Sequence, residues 1–234
     1  MHLFLTSSTD CTYATLPPDE SKHCIRVLRM LPGDEIWVTS GDGVLCTARI
    51  VDPDPTACQV EITQRIPNYG AHPYHIHIAV APTKNNARLE WFVEKAVEIG
   101  IDRITPLICQ HSERVSLNID RLRKIALSAM KQSLQASIPQ IDPPTPINKL
   151  LSEPIPPCPF ICHCAEGERH TLNQLYTPGS DALVLIGPEG DFSPDEITRC
   201  NQLGFRPVTL GDHRLRTETA ALYALTALNI LNNQ

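Results

Sequence analysis

Apolar positions in the first seventy residues come in short alternating runs. Ile36 and Val38 sit within residues 35–40, residues 44–50 follow, and Gly41-Asp42-Gly43 separates the two, so the spacing predicts a hairpin. After the turn Asp52-Pro53-Asp54-Pro55, residues 58–62 predict a further strand. Short strands with no helical stretch between them suggest a small β-barrel. Residues 67–73 (Pro-Asn-Tyr-Gly-Ala-His-Pro) are turn-rich and mark a boundary, giving domains over 1–70 and 73–234.

From residue 74 the rhythm changes. Tyr74, Ile76, Ile78 and Val80 alternate with His75, His77, Ala79 and Ala81, which predicts a strand with two dissimilar faces. Leu89, Phe92, Val93, Ala96 and Ile99 then form a helical stripe that Gly100 stops. Residues 104–108 read as a strand, and 119–134 as a helix carrying Leu122, Ile125, Ala126, Ala129 and Met130. A proline-rich loop over 139–159 leads to apolar strands at 160–162 and 182–186. Ser193-Pro194-Asp195-Glu196 combines an N-cap, a first-turn proline and a reciprocal capping glutamate. Gly204 ends that helix, 205–210 returns as a strand, and a last helix from Glu218 aligns Leu222, Leu225, Leu228 and Leu231. Strand–helix alternation of this length means an α/β domain with a mostly parallel sheet.

Composition narrows the class. With 42% hydrophobic and 20% charged residues over 234 positions, the chain can bury a core. No apolar run nears the roughly 20 residues needed to cross a bilayer, and the start, MHLFLTSSTD, lacks the basic region of a signal peptide. The expectation is a cytoplasmic protein without a membrane segment. Nine irregularly spaced cysteines read as buried free thiols in a reducing compartment. The 26 acidic residues outnumber the 20 basic ones, which excludes coating nucleic acid by bulk charge. Any RNA contact must use local patches: Lys22, Arg26 and Arg29 in the first part, and Arg114, Arg121, Arg123, Lys124 and Lys131 in the second.

Candidate chemistry gathers at three strand-to-loop transitions, over residues 161–167, 185–193 and 210–220. In open parallel sheets, ligands bind beyond the carboxyl ends of strands. The second loop, Gly187-Pro188-Glu189-Gly190, lacks both the Walker and the Gly-x-Gly-x-x-Gly patterns, and by itself reads as a tight turn or a binding loop. The third packs His213, Arg214, Arg216 and Glu218 ahead of an apolar helix. Cys158, Cys162, His163, Cys164 and His170 offer zinc-type ligands, but strand alternation would put Cys162 and Cys164 on one face and His163 on the other. No second Cys-x-x-Cys pair completes a site, so no metal is expected. His75 and His77 read as a surface or interface pair.

Leu185-Ile186-Gly187-Pro188-Glu189-Gly190 with Phe192-Ser193 and Glu196, then Leu210-Gly211 and Leu215-Arg216-Thr217-Glu218-Thr219-Ala220, closely resemble the RsmE family of the SPOUT superfamily. Ala81-Pro82-Thr83-Lys84, Arg88-Leu89-Glu90-Trp91 and residues 95–100 extend the likeness upstream, and His23, Val27-Leu28-Arg29 and Gly33-Asp34 extend it into the first domain. The resemblance implies a PUA-like β-barrel for RNA, an α/β domain with a C-terminal trefoil knot, and a homodimer. It implies methylation of uridine N3 in 16S ribosomal RNA of the small subunit, with S-adenosylmethionine as donor. The cofactor would lie against Cys164, Ala165, Glu166 and Gly167; Ile186, Gly187, Pro188, Glu189 and Gly190; Leu210, Gly211 and Leu215; and Thr219 and Ala220.

For the reaction, Arg216 is the first candidate to stabilise a uracil anion or hold a phosphate. Glu218 would orient Arg216 or cap the helix, and His213 and Glu189 are candidate bases. The chain departs from the family at Asp191, where glycine is usual, at His213-Arg214, at Met1-His2-Leu3-Phe4 and at Leu134-Gln135. The alternatives are a SPOUT enzyme for another RNA or nucleotide, and a non-catalytic RNA-binding dimer, against which the intact loops argue.

Overall fold

The computed structural model describes residues 2–167 and 169–233. They form two units, residues 2–71 with Leu127–Ile138, and His72–Ala126 with residues 139–233. In the first unit, β1 (Leu3–Leu5), β2 (Tyr13–Thr15), β3 (Glu35–Thr39), β4 (Leu45–Asp52) and β5 (Gln59–Ile66) make a curled sheet in the order β1-β3-β4-β5-β2. The glycine-flanked turn produces the expected hairpin, pairing Val38 with Cys46, and both Gly41 and Gly43 have positive φ. Alternation puts Ile36, Val38, Cys46, Ala48, Ile50, Val60 and Ile62 on one buried face with Phe4, Leu16 and Cys24.

A helix interrupts what the pattern presents as uninterrupted strands. α1 (Pro18–Lys22) runs into a π-helical turn, His23–Val27. Its proline at the start, acidic first turn and terminal lysine fit helix ends, but five residues are too short for a periodic stripe.

Residues 127–138 lie in the expected second domain by sequence but pack in the first unit. Ala136 and Leu134 join Leu3, Leu45, Trp37 and Tyr69 in a small apolar cluster. The Ala136 carbonyl accepts from the Thr39 hydroxyl at 3.1 Å and the Gly43 N–H at 2.9 Å, while Lys131 pairs with Glu20. Only three-dimensional packing assigns this segment.

The second unit contains β6 (Ile76–Val80), α2 (Asn86–Ile99), β7 (Arg103–Ile108), the start of α3 (Ile119–Gln132), β8 (Gln140–Ile141), β9 (Thr145–Pro146), α4 (Ile147–Leu150) and β10 (Cys158–Cys162). It continues with β11 (His170–Thr171), α5 (Leu172–Leu175), β12 (Ala182–Ile186), α6 (Pro194–Gln202), β13 (Arg206–Thr209) and α7 (Thr217–Asn232). Parallel pairing gives the order β11-β13-β10-β12-β6-β7-β8, with β9 on β7. The proline-rich stretch is thus not wholly loop, since β8, β9 and α4 fall within it.

β6 corrects a second expectation. Residues 76–81 are all buried, so the strand has no solvent face, as a central strand of a covered parallel sheet requires. His77 is accordingly interior rather than one of a surface pair, whereas His75 is exposed. The capping box at Ser193 and Glu196 forms as its spacing requires.

The end of the chain sets up the site. From β12 the chain passes through α6 to β13, beyond β10, and α7 then returns to pack on β6, β12 and α2. Thr217, at the start of α7, donates to the Gly187 carbonyl at 3.2 Å. Ala221 and Ala224 are fully buried within the chain, where their small side chains allow α7 to pack closely on the sheet and α2.

Candidate active site

β10, β12 and β13 run parallel and end together, and the loops after them enclose a cavity of about 550 Å³. Cys164, Ile186, Gly187, Pro188, Glu189, Gly190, Leu210, Gly211, Leu215 and Ala220 line it, as do His213 and Arg216. Ala165, Glu166 and Gly167 do not; they are exposed beyond the bend that follows β10. Thr219 and Glu218 also lie off this cavity, because successive helical residues on α7 point about 100° apart. Both face a second cleft of about 370 Å³, lined by Ala87, Arg88, Trp91, Arg216, Glu218 and Thr219. Arg216 borders both spaces.

Cys162, His163, Arg169, Asp191, Val208, Thr209, Arg214 and Thr217 also line the cavity; of these, Arg169, Val208 and Thr209 lie outside the three expected loops and were missed by sequence reasoning. Cys162, His163 and Cys164 all line it, because β10 ends at Cys162 and the expected alternation ends there too. The His163 Nδ1 is buried without a hydrogen-bond partner among the described residues. Burial holds its imidazole below the usual histidine pKa, with the Asp191 charge opposing.

Asp191 builds the site from a conformation that favours glycine, with φ +65°. Its Oδ2 accepts from the Cys164 N–H at 2.8 Å, and its Oδ1 accepts from the Phe192 N–H at 2.8 Å. The carboxylate therefore joins the first loop to the second. Its departure from the family's glycine was the available signal for this role.

The glycines of the second loop are needed for packing within the protein. A Cβ at Gly187 would lie 2.9 Å from the Phe192 ring, and one at Gly190 3.1 Å from the His111 Cβ. Glu189 Oε1 accepts from the Lys84 N–H at 3.3 Å, and the Glu189 carbonyl accepts from Arg214 Nη2 at 3.4 Å.

The walls suit S-adenosylmethionine. Ile186, Val208, Leu210 and Leu215 supply apolar surface, and the unpartnered His163 nitrogen supplies a buried polar contact. Gly211 has φ +110° and nothing within 4 Å of its would-be Cβ, so backbone is open to a ligand there.

The expected RNA patches differ in their charge balance. Both Nε and Nη2 of Arg121 donate to the Glu90 carboxylate, at 2.5 and 2.8 Å. Arg123 faces Asp120 at 3.4 Å, and Arg114 donates to the Lys84 carbonyl. Lys22, Arg26 and Arg29 are exposed and join none of the ion pairs found among the described residues. No helix among the described residues is long and apolar enough to cross a membrane.

Comparison with known proteins places these features in context. Residues 71–229 match a family model described as an RNA methyltransferase domain, and residues 16–63 one described as an RNA methyltransferase PUA domain. Ribosomal RNA small subunit methyltransferase E of Mesomycoplasma hyopneumoniae is 33% identical over 74% of this chain and 77% of its own. The Buchnera aphidicola protein of the same name is 27% identical over 98% and 92%. Among solved structures, the "probable rRNA-methyltransferase" of Porphyromonas gingivalis is 40% identical with a TM-score of 0.93, covering 100% of this chain and 99% of that one. The Neisseria gonorrhoeae ribosomal RNA small subunit methyltransferase E, solved with S-adenosyl methionine, is 26% identical with a TM-score of 0.88, covering 99% and 98%.

Proposed function

Because the chain belongs to the ribosomal RNA small subunit methyltransferase E family, we propose that it methylates N3 of a uridine in 16S ribosomal RNA, using S-adenosylmethionine held in the larger cavity. The observation that carries this reading is the cavity enclosed by the loops after β10, β12 and β13. When bound, S-adenosylmethionine supplies a methyl carbon on a sulfonium, open to in-line displacement, so the protein's largest task is positioning. Ile186, Val208, Leu210 and Leu215 would bury the apolar parts of the molecule, and His163 Nδ1 would meet a polar edge. Asp191 would hold the Cys164 backbone against it. Arg216, bordering both spaces, would stabilise negative charge on the acceptor base or hold a neighbouring phosphate.

The RNA would be presented by Lys22, Arg26 and Arg29 of the first unit. Reversing Arg26 and Arg29 to Glu should lower methylation of assembled small subunits at least tenfold and flatten the salt dependence, since each phosphate contact contributes about 0.7–0.9 to the slope. Arg121 and Arg123, already facing carboxylates, should matter less. We place the enzyme in the cytoplasm, where its RNA is assembled, as a homodimer.

Two measurements test the reading. Calorimetry should detect S-adenosylmethionine binding to the full chain, and its absence overturns the cavity's role. Mass mapping of 16S ribosomal RNA from a deletion strain should show one uridine without its N3-methyl group. An unchanged ribosomal RNA with a change elsewhere would make this a methyltransferase for another RNA.

A further inference from the structure

The proposed reaction needs a seat for the acceptor base and a group to receive its proton. Neutral uracil carries a proton on N3, which must leave before or during attack. The two expected bases are poorly enclosed: His213 and Glu189 are both exposed. Glu218 is different. It is 7% exposed, its Oε2 is buried without a hydrogen-bond partner, and its Oε1 lies 3.8 Å from Arg88 Nε. An unsatisfied buried carboxylate oxygen is costly in folding terms and is retained where a ligand completes it.

The second cleft has the other parts that a planar base requires. Trp91 stands in its wall while 43% exposed, so an aromatic face is available for stacking. Arg88 and Arg216 bring two guanidinium groups to the same space, matched to carbonyl oxygens that gain charge as N3 loses its proton. Arg216 also borders the larger cavity, so the two spaces share a wall.

We propose that the cleft between α2 and the start of α7 seats the target uracil, with Trp91 stacking on the ring and Glu218 acting as the base. This rests on the methyltransferase reading above and names the acceptor subsite within it. The N3–H bond breaks and the proton passes to the Glu218 carboxylate. The electron pair left on N3 forms the new bond to the methyl carbon as the carbon–sulfur bond breaks, and the former carbon–sulfur bonding pair stays on sulfur. Arg88 and Arg216 balance the charge on the uracil oxygens during the transfer. Glu218 is then a catalytic residue rather than the orienting or capping group expected from its place on the helix.

The test uses the full chain and small subunits from a strain lacking the enzyme. Wild-type protein must first bind S-adenosylmethionine and transfer a methyl group to uridine N3; failure there overturns the functional reading, not the subsite alone. Glu218→Gln should lower kcat by about 10²–10⁴-fold, with S-adenosylmethionine affinity by calorimetry and Tm close to wild type. Glu218→Asp should restore part of kcat because it restores a carboxylate. Trp91→Ala should weaken subunit binding by about tenfold and raise KM, leaving cofactor affinity unchanged. The proposal fails if Glu218→Gln keeps kcat within threefold, or if Glu218→Asp and Glu218→Gln lose cofactor affinity together, which marks a structural role. It also fails if Trp91→Ala binds subunits as wild type does.

Discussion

The two ends of the parallel sheet hold polar groups in opposite ways. At the amino ends of β6 and β7, His77 Nε2 lies 2.7 Å from the Thr105 hydroxyl, which in turn donates to Asp142. Asp142 also accepts from Arg103 Nε and Gln140 Nε2, both at 2.7 Å, and Arg103 Nη1 reaches Glu153 at 3.0 Å. Every member of that network has a partner. At the carboxyl ends, His163 Nδ1 is left unpaired in the cavity wall, and Glu218 Oε2 is left unpaired at the start of α7. One end is closed to further bonding and serves stability; the other keeps open valences and serves binding. A polar group alone does not mark a site. Its remaining hydrogen-bonding capacity does.

The widest break in this comparison should come from filling the open end. Ala220→Trp places an indole in the cavity wall and should lower S-adenosylmethionine affinity by at least about a hundredfold, with little change in Tm. Calorimetry and thermal melting read the two quantities separately. This variant is cleaner than Gly190→Trp, since His111 already confines Gly190.

The closed end should give the reverse pattern. Asp142→Ala leaves Arg103 and Thr105 without their shared acceptor and should cost about 3 kcal/mol, a fall in Tm of roughly 6–12 °C. Cofactor affinity at the far end should stay within twofold. A parallel loss of affinity would show that the two ends are not independent.

Acid should probe the closed end more gently. Burial, with help from the Arg103 and His75 charges and against that of Asp142, holds His77 at about 3 rather than 6.5. Its folded pKa lies below the unfolded one, so the unfolded chain binds more protons between those values. Stability therefore falls as pH drops from about 6.5 toward 3, by about 2 kcal/mol between pH 7 and pH 5 from this group. His77→Gln should flatten that part of the pH–stability curve. Burial pushes the Asp142 carboxyl up, but hydrogen bonds from Thr105 and Gln140 and the Arg103 charge together hold it below its ordinary value. Its contribution is present above the unfolded carboxylate value near 3.8 and is lost as pH falls further, from the acid end of the histidine window downward.

The smallest effect should come from Asp191, where strain and bonding oppose each other. Asp191→Ala keeps the left-handed backbone and removes the bonds to Cys164 and Phe192, costing about 1 kcal/mol and weakening the cofactor several-fold. Asp191→Gly relaxes the backbone as well, so its Tm should lie above that of the alanine variant while cofactor affinity stays low. Equal Tm values would remove backbone strain from the account.

How far the sequence reaches can be judged residue by residue. Glycine–aspartate–glycine between alternating runs determined the β3–β4 hairpin, and Ser193 with Glu196 determined the start of α6, because both depend on neighbours in the chain. Gly100 ended α2 for the same reason. The three loops, with their glycines and charges, located the larger cavity, since parallel strands bring their carboxyl ends to one edge. What spacing could not decide was the company each side chain keeps. His77 and His75 are alike in sequence, yet one is buried against Thr105 and the other is exposed. Asp191 could not be read as a clamp until its loop met Cys164, 27 residues away. Glu218 and Thr219 share a motif with Ala220 but face a different space, because a helical turn separates neighbours by angle. Local sequence determines turns, caps and periodic faces, whose energies are settled within a few residues. Burial, leftover hydrogen-bonding capacity and shared cavity walls depend on segments far apart in the chain, and only the tertiary structure brings those together.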